Sequence, residues 1–315
     1  MAYGMQWNPA RVLLARCAVL VASGLVVPAQ AALPDLPPLD QPPSGEHHPG
    51  KMIWADLVSP DLEVAKRFYS AMFGWTFEDL ALSGSTQTSF TKKEYALARL
   101  DGVPVAGIVQ RDAPAGDHAQ AAWLTFLAVR NADEAGRIAT ARGARILAEP
   151  RTYGRRGRQV ILADPQGAVF GILASSSGDR LDVLAEPGEW IWSSLLVQDP
   201  DKDAAFYQDL LACDVFDLPS DDGREHAILA SDNYARASVN AMPDDSVHRY
   251  PHWLNFIRVQ NAADSAAKAA SLGGRVLVEA HTDRHGGQVA VVADPQGAPL
   301  GLMEWTEISE QGSAK

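Results

Sequence analysis

Few side chains in this sequence stand where they could act together chemically. The eight histidines are His47, His48, His118, His226, His248, His252, His281 and His285. His281 and His285 have the i,i+4 spacing that lets a helix offer two imidazoles to one metal. Their context, "EAHTDRHGGQ", is a Gly-rich loop without helical period, so they read as solvated. His47-His48 lies in a Pro-rich stretch and reads as surface, or as weak adventitious metal binding. His252 precedes a strand and stands where the matching segment has Ala122. Cys213 follows an apolar helix in "FYQDLLACDVF", matches Trp75 of the other half, and reads as a buried structural thiol. The sequence contains no G-x-S-x-G, P-loop, Rossmann fingerprint or paired C-x-x-C. Two features remain. Asp56 shares a strand face with Trp54 and Val58, and a buried carboxylate there must pair locally or meet a ligand. "RTYGRRGRQ", Arg151 to Gln159, carries four arginines where its counterpart "HTDRHGGQ" has one. It is either a solvated basic loop or, through Tyr153 and Arg155, a holder of anionic groups at a cup mouth.

The elements that position these residues come from a duplication. "IWADLVSPDLEVAKRFYSAMFGW" from Ile53 matches "IWSSLLVQDPDKDAAFYQDLLAC" from Ile191, an offset of 138. "AWLTFLAVRNADEAGRIATARGARIL" from Ala122 matches "HWLNFIRVQNAADSAAKAASLGGRVL" from His252, an offset of 130. The hexapeptide "ADPQGA" occurs at Ala163 to Ala168 and, at the same offset of 130, at Ala293 to Ala298. Such self-similarity reads as two tandem domains. Each half divides again into two quarters, each a short apolar strand, a capped helix and further short strands. Ser59-Pro60 and Asp199-Pro200 read as N-cap plus proline at the first helical position. Asn131 with Glu134, and Asn261 with Asp264, resemble capping boxes. Gly143 and Gly273 fall where a helix ends in a left-handed residue. "DPQG" places Pro and Gly as a type I turn favours, so the hexapeptide reads as a structural hairpin turn. The predicted class is α+β, with four βαβββ modules.

A βαβββ unit with an aspartate-capped helix holding "FY", then "ADPQGAxxG" on its last hairpin, resembles the vicinal oxygen chelate superfamily. That superfamily includes glyoxalase I, bleomycin-resistance proteins and extradiol dioxygenases. The resemblance runs from about Lys51 to Trp305 and is greatest to tandem-domain glyoxalase-like proteins. It implies two half-barrel cups, each with metal ligands on the first and last strands of its modules. Counting from the helix caps puts the first-strand ligand positions on Trp54, Leu124, Trp192 and Leu254. The last-strand positions fall on Gly107, Gly171, Ser238 and Gly301. None is a normal metal ligand. A slip of one residue offers nothing better, and a slip of two offers only Asp56. No metal and no other cofactor is therefore expected. Trp54, Asp56, Leu124 and Phe126 face one cup, and Trp192, Ser194, Leu254 and Phe256 the other, with Ser238 beside them. These side chains either fill the cups as core or line a pocket for an apolar or aromatic small molecule.

The chain has 315 residues and a net charge of −12, which disfavours nucleic acid and anionic lipid as partners. Arg11 and Arg16, the apolar run from Ala18 to Val27, and Ala29-Gln30-Ala31 read as a secretory signal cut after Ala31. Cleavage would take the charge to −14, leave Cys213 as the sole cysteine, and send the protein to the periplasm or outside with no membrane attachment. The expected organisation is signal peptide 1–31, Pro-rich and poorly ordered leader 32–49, first domain 50–175, linker 176–188, second domain 189–306 and tail 307–315. The leading expectation is a metal-independent small-molecule binder. The alternatives are a metal-dependent lyase or dioxygenase with non-standard ligands, and a protein-interaction module with filled cups.

Overall fold

In a computed structural model, the structure describes residues 35–80, 95–111, 121–217, 226–242, 250–283 and 287–305. Four βαβββ modules follow one another. The first is β1 (Met52–Ser59), α1 (Leu62–Phe73), β2 (Thr76–Leu80), β3 (Tyr95–Leu100) and β4 (Val103–Gln110). The second is β5 (Ala122–Ala128), α2 (Ala132–Ala141), β6 (Arg145–Tyr153), β7 (Gly157–Ala163) and β8 (Val169–Ser175). The third is β9 (Trp190–Val197), α3 (Pro200–Leu211), β10 (Asp214–Asp217), β11 (His226–Ser231) and β12 (Tyr234–Ala241). The fourth is β13 (His252–Val259), α4 (Ala262–Ser271), β14 (Arg275–Thr282), β15 (Gln288–Ala293) and β16 (Pro299–Glu304).

The helices begin where short polar side chains satisfy their first free amides. Asn131 caps α2, Asn261 caps α4, and Asp199 caps α3 with Pro200 in its first turn. The first helix departs from expectation. Its cap is Asp61, whose carboxylate accepts from Glu63 and Val64 N–H, and Ser59 is still the last residue of β1. Gly143 and Gly273 take positive φ after their helices, as the sequence predicts.

Two modules share each sheet. The orders are β2-β3-β4-β1-β5-β8-β7-β6 and β10-β11-β12-β9-β13-β16-β15-β14, with antiparallel seams β1–β5 and β9–β13. Period-two alternation gives every strand one face toward a helix and one toward a cup. On the helical side the halves cross over. Ala55, Leu57, Phe68 and Met72 of the first module join one core with Ile257, Ala266 and Leu300 of the fourth. The second module forms the other core with the third, through Leu127, Phe170, Leu195 and Phe206. Between the seams, Thr125 and Ser193 hydroxyls donate to Asn255 Oδ1 at 2.9 and 2.8 Å.

The repeated hexapeptide does more than turn the chain. Asp164 Oδ1 accepts from Gln166, Gly167 and Ala168 N–H, which fixes the hairpin from inside. Its Oδ2 accepts from Tyr207 OH of the other domain at 3.1 Å, and Trp253 Nε1 donates to the same hydroxyl. The second copy repeats this: Tyr69 OH donates to Asp294 Oδ2 at 3.2 Å, and Trp123 Nε1 to Tyr69. Gln166 bridges Asp199 N and O, while Gln296 bridges Asp61 N and O, so each turn also clasps the start of a helix in the opposite half. The turn is written twice because it joins the two domains in both directions.

The leader corrects the sequence reading. Composition alone predicts an extended, poorly ordered segment, but from Asp35 it lies packed on the first domain. Leu36 and Leu39 are each only 3 % exposed. Asp40 N–H donates to Ser177 Oγ, Gly45 N–H to Ser177 O, and His48 N–H to Asp179 Oδ2. Gly178 has φ +83°, and a β-carbon there would strike Ser44 and Gly45, so glycine is what lets the two segments lie flush. Prolines also lower the entropy lost when such a segment orders. Lys51 and Arg236 converge on Asp182 Oδ1 at 2.8 and 2.6 Å, tying the residues after Ser175 to β12.

Candidate functional site

Strand register decides which side chains stand level across each cup. In the first cup Asp56 pairs with Gly107 on one side and Leu124 on the other, and Phe126 pairs with Trp54 and Gly171. In the second, Ser194 pairs with Ser238 and Leu254, and Phe256 with Trp192 and Gly301. This moves the convergent first-strand positions two residues along from the sequence count, to Asp56, Phe126, Ser194 and Phe256. A β-carbon at Gly107 would collide with Tyr95 OH and Asp56, and one at Gly171 or Gly301 with the ring of Phe126 or Phe256. A last-strand carboxylate at three of the four places would thus need Tyr95 and Asp56, or the facing phenylalanine ring, to move aside. Among the described residues no three His, Cys, Asp or Glu side chains gather as a metal cluster. The donors that the described residues offer, one carboxylate in the first cup and two hydroxyls and the His226 imidazole in the second, do not fit a divalent ion that needs three or more strong donors.

The first cup is full. Trp54, Tyr95, Leu97, Phe126 and Leu173 are buried together with Leu36 and Leu39 of the leader, and Leu124 and Tyr153 pack at the margin. Asp56 resolves its burial locally: Oδ1 accepts from Trp54 Nε1 at 2.8 Å and Tyr95 OH at 2.9 Å. Burial pushes its carboxyl above the usual range, against the pull of Trp54, Arg156 and Tyr95. Burial, and then the Asp56 charge, hold the Tyr95 phenol well above its ordinary value. The arginine that enters this cup is Arg156. It is 1 % exposed, and its guanidinium carbon lies 3.7 Å from the Trp54 ring centroid. Arg155, the residue singled out in the sequence, is exposed, and only its carbonyl is engaged, by Ser176. In the turn after Tyr153, where Gly154 takes φ +52°, the side chain of Arg156 is buried while that of its neighbour Arg155 is exposed.

The second cup has a polar floor and a more open surface. Trp54, Leu97 and Leu173 are buried in the first cup, yet their counterparts Trp192, Ile228 and Met303 are half-buried. Trp192 Nε1 donates to Ser238 Oγ at 3.2 Å, and Asn240 Nδ2 to the same oxygen at 2.9 Å. Those two bonds occupy both lone pairs of Ser238, so its proton goes to Ser194 Oγ at 2.8 Å. The Ser194 proton is then directed away from this network. Asn240 Oδ1, 2.9 Å from His226 Nδ1, accepts from that nitrogen. Leu254 and Phe256 complete the wall, both nearly buried.

The structure therefore brings together Trp54, Asp56, Leu124, Phe126 and Tyr153 in one cup, and Trp192, Ser194, Ser238, Leu254 and Phe256 in the other. Tyr95, Arg156, His226, Asn240 and the leader leucines were missed. His226 takes the place of Tyr95, since each lies opposite the residue two beyond the last-strand position, Val109 or Asn240, a correspondence set by strand register. Cys213 is buried, and burial pushes its thiol up to about 11, against a nucleophilic role. Glu304 lies on the helical side, where its carboxylate accepts from Ala262 N–H at the start of α4.

Comparison with known proteins agrees with this architecture. Residues 51–172 match the family described as the glyoxalase/bleomycin resistance protein/dioxygenase superfamily, and residues 193–303 match the glyoxalase-like domain. The Mycobacterium tuberculosis protein CFP32, named as a glyoxylase, is 28 % identical over 264 residues, covering 84 % of this chain and 98 % of that one. The anthracycline biosynthesis protein DauV of Streptomyces sp. strain C5 is 26 % identical over 274 residues, covering 82 % and 94 %. Among solved structures, the Mn(II)-bound glyoxalase from Novosphingobium aromaticivorans superposes with a TM-score of 0.56 at 15 % identity, covering 83 % of this chain and 84 % of that one. A variant of homoprotocatechuate 2,3-dioxygenase from B. fuscum gives 0.55 at 14 %, covering 86 % and 74 %.

Proposed function

We propose, for a chain that belongs to the glyoxalase/bleomycin resistance protein/dioxygenase superfamily, that the second cup binds a small apolar or aromatic molecule without a metal. One observation carries the reading. Of two cups built on the same plan, the first is packed shut, while the second keeps a half-buried tryptophan over a hydroxyl–amide–imidazole floor. Trp192 and Phe256 supply flat apolar surface, and the Ser194 hydroxyl supplies a donor for a carbonyl or phenolic oxygen. The scarcity of carboxylates and imidazoles level with Ser194 supports metal independence. The filled first cup is what an interaction module would have, but only for that half of the chain.

Thermal shift and tryptophan fluorescence against a library of aromatic and apolar metabolites test this. A ligand should raise Tm and quench fluorescence, and Trp192→Ala or Ser238→Ala should abolish both effects. A flat response across the library would refute binding. Stoichiometric zinc, nickel, manganese or iron in protein purified without a histidine tag would refute metal independence. The basic and apolar pattern up to Ala31 supports an exported, periplasmic or secreted protein. An N-terminus at Ala32 in the periplasmic fraction is the expected result.

A further inference from the structure

Beneath the leader, the first cup keeps chemistry that a permanent core would not need. Asp56, Tyr95, Arg156 and Gln159 are all buried there. Buried ionic groups are seldom more stabilising than apolar side chains of the same volume. The set is also peculiar to this cup, since the second has Ser194 and His226 in place of Asp56 and Tyr95, and in the sequence the residue at the offset of 130 from Arg156 is glycine. Arg156 is incompletely satisfied. Its Nε donates to the carbonyl of leader residue Pro37 at 2.8 Å, while Nη2 is buried with no hydrogen-bond partner. Nε and Nη2 form one edge of the guanidinium, and a carboxylate takes that edge with both oxygens. A single peptide carbonyl takes only half of it.

From Asp35 to Pro49 the leader joins neither sheet. Two leucines and the Pro37 carbonyl hold it in the cup, with further anchors at Ser177, Asp179, Arg180 and Ser231 outside. Leu36 and Leu39 thus occupy the place of an apolar ligand body against Trp54 and Phe126, and Pro37 O occupies the place of one carboxylate oxygen. We propose that the first cup is a second ligand site, for an apolar or aromatic carboxylate, and that the leader is its displaceable stopper. Arg156, stacked on Trp54, is the residue that recognises the carboxylate. No covalent step is involved, and the site is independent of the second cup.

The test uses the full chain carrying Trp192→Ala, which excludes the second cup, and isothermal titration with naphthoate and with uncharged naphthalenemethanol. Adding Leu36→Asp and Leu39→Asp should tighten naphthoate binding at least tenfold. Naphthalenemethanol should gain much less. Arg156→Met in the released chain should erase the preference for the carboxylate. If the aspartate pair prevents folding, judged by circular dichroism, Leu36→Ala with Leu39→Ala weakens the stopper without adding charge and is titrated in the same way. Unchanged naphthoate binding in a folded leader variant would overturn the stopper. Equal binding of the two probes, or indifference to Arg156→Met, would overturn the carboxylate assignment.

Discussion

Replacing Asp203 with asparagine should stabilise the protein at neutral and alkaline pH. Asp203 lies in the first turn of α3 and is fully buried in the contact between the second and third modules. Its Oδ2 accepts from Gln166 Nε2 at 2.7 Å, whereas Oδ1 is buried without a partner. Burial first, and then the neighbouring Asp164 charge, raise its carboxyl from 3.8 to about 7. A carboxyl raised in the folded state contributes stability that is present below pH 3.8 and lost as pH rises toward 7. At about 1.36 kcal/mol per tenfold change in proton affinity, the full cost of ionising it in place is about 4 kcal/mol. About 1.6 kcal/mol of that is already present at pH 5, because the unfolded carboxyl is ionised there. Asparagine keeps the shape and can still accept from Gln166, but carries no charge. Urea unfolding of both proteins should therefore show an advantage for Asp203→Asn that grows by about 2–3 kcal/mol between pH 5 and pH 8. Asp203→Ala reproduces the other half of the molecule, which has Ala65 at the offset of 138, and should show the same pH trend from a lower starting point. A stability difference that does not change with pH would refute the assignment of a proton to Asp203 in the folded state.

Three further outcomes are expected. Tyr69→Phe and Tyr207→Phe should each cost about 1–2 kcal/mol in urea unfolding, because each leaves a buried carboxylate short of one donor across the domain contact. Asp182→Asn should cost about 2–3 kcal/mol at pH 7. Burial raises the Asp182 carboxyl, but Arg236 and Lys51 outweigh it and hold it at about 2, so this stability is present above pH 3.8 and fades as pH falls toward 2. Gly171→Ala should destabilise by about 2 kcal/mol or more, measured by thermal unfolding, because the new methyl meets the Phe126 ring in a full cup.

Local pattern made much of this molecule legible. The duplication, the four βαβββ modules and the division of Trp54, Asp56 and Phe126 from Ala55 and Leu57 follow from repeats and from a side-chain period of two. The polar caps at Asn131, Asp199 and Asn261 are equally local, since each acts on amides two or three residues away. So is the hairpin inside each "ADPQGA" turn. Other features depend on where distant strands meet. The pairing of Gly107 with Asp56 joins residues 51 positions apart, and no local period sets that register, so the sequence count fell two residues short. Nothing near Asp164 announces Tyr207, since the partner lies in the other domain. Nothing local distinguishes Arg155 from Arg156, and only the placement of the turn against Trp54 shows that Arg156 enters the cup. The leader shows the difference most fully: its proline content predicts an extended chain, and only the assembled cup provides an apolar floor for Leu36 and Leu39 and an arginine donor for Pro37. Composition describes what a segment does alone in water, whereas burial depends on a surface that exists only once the sheet has formed.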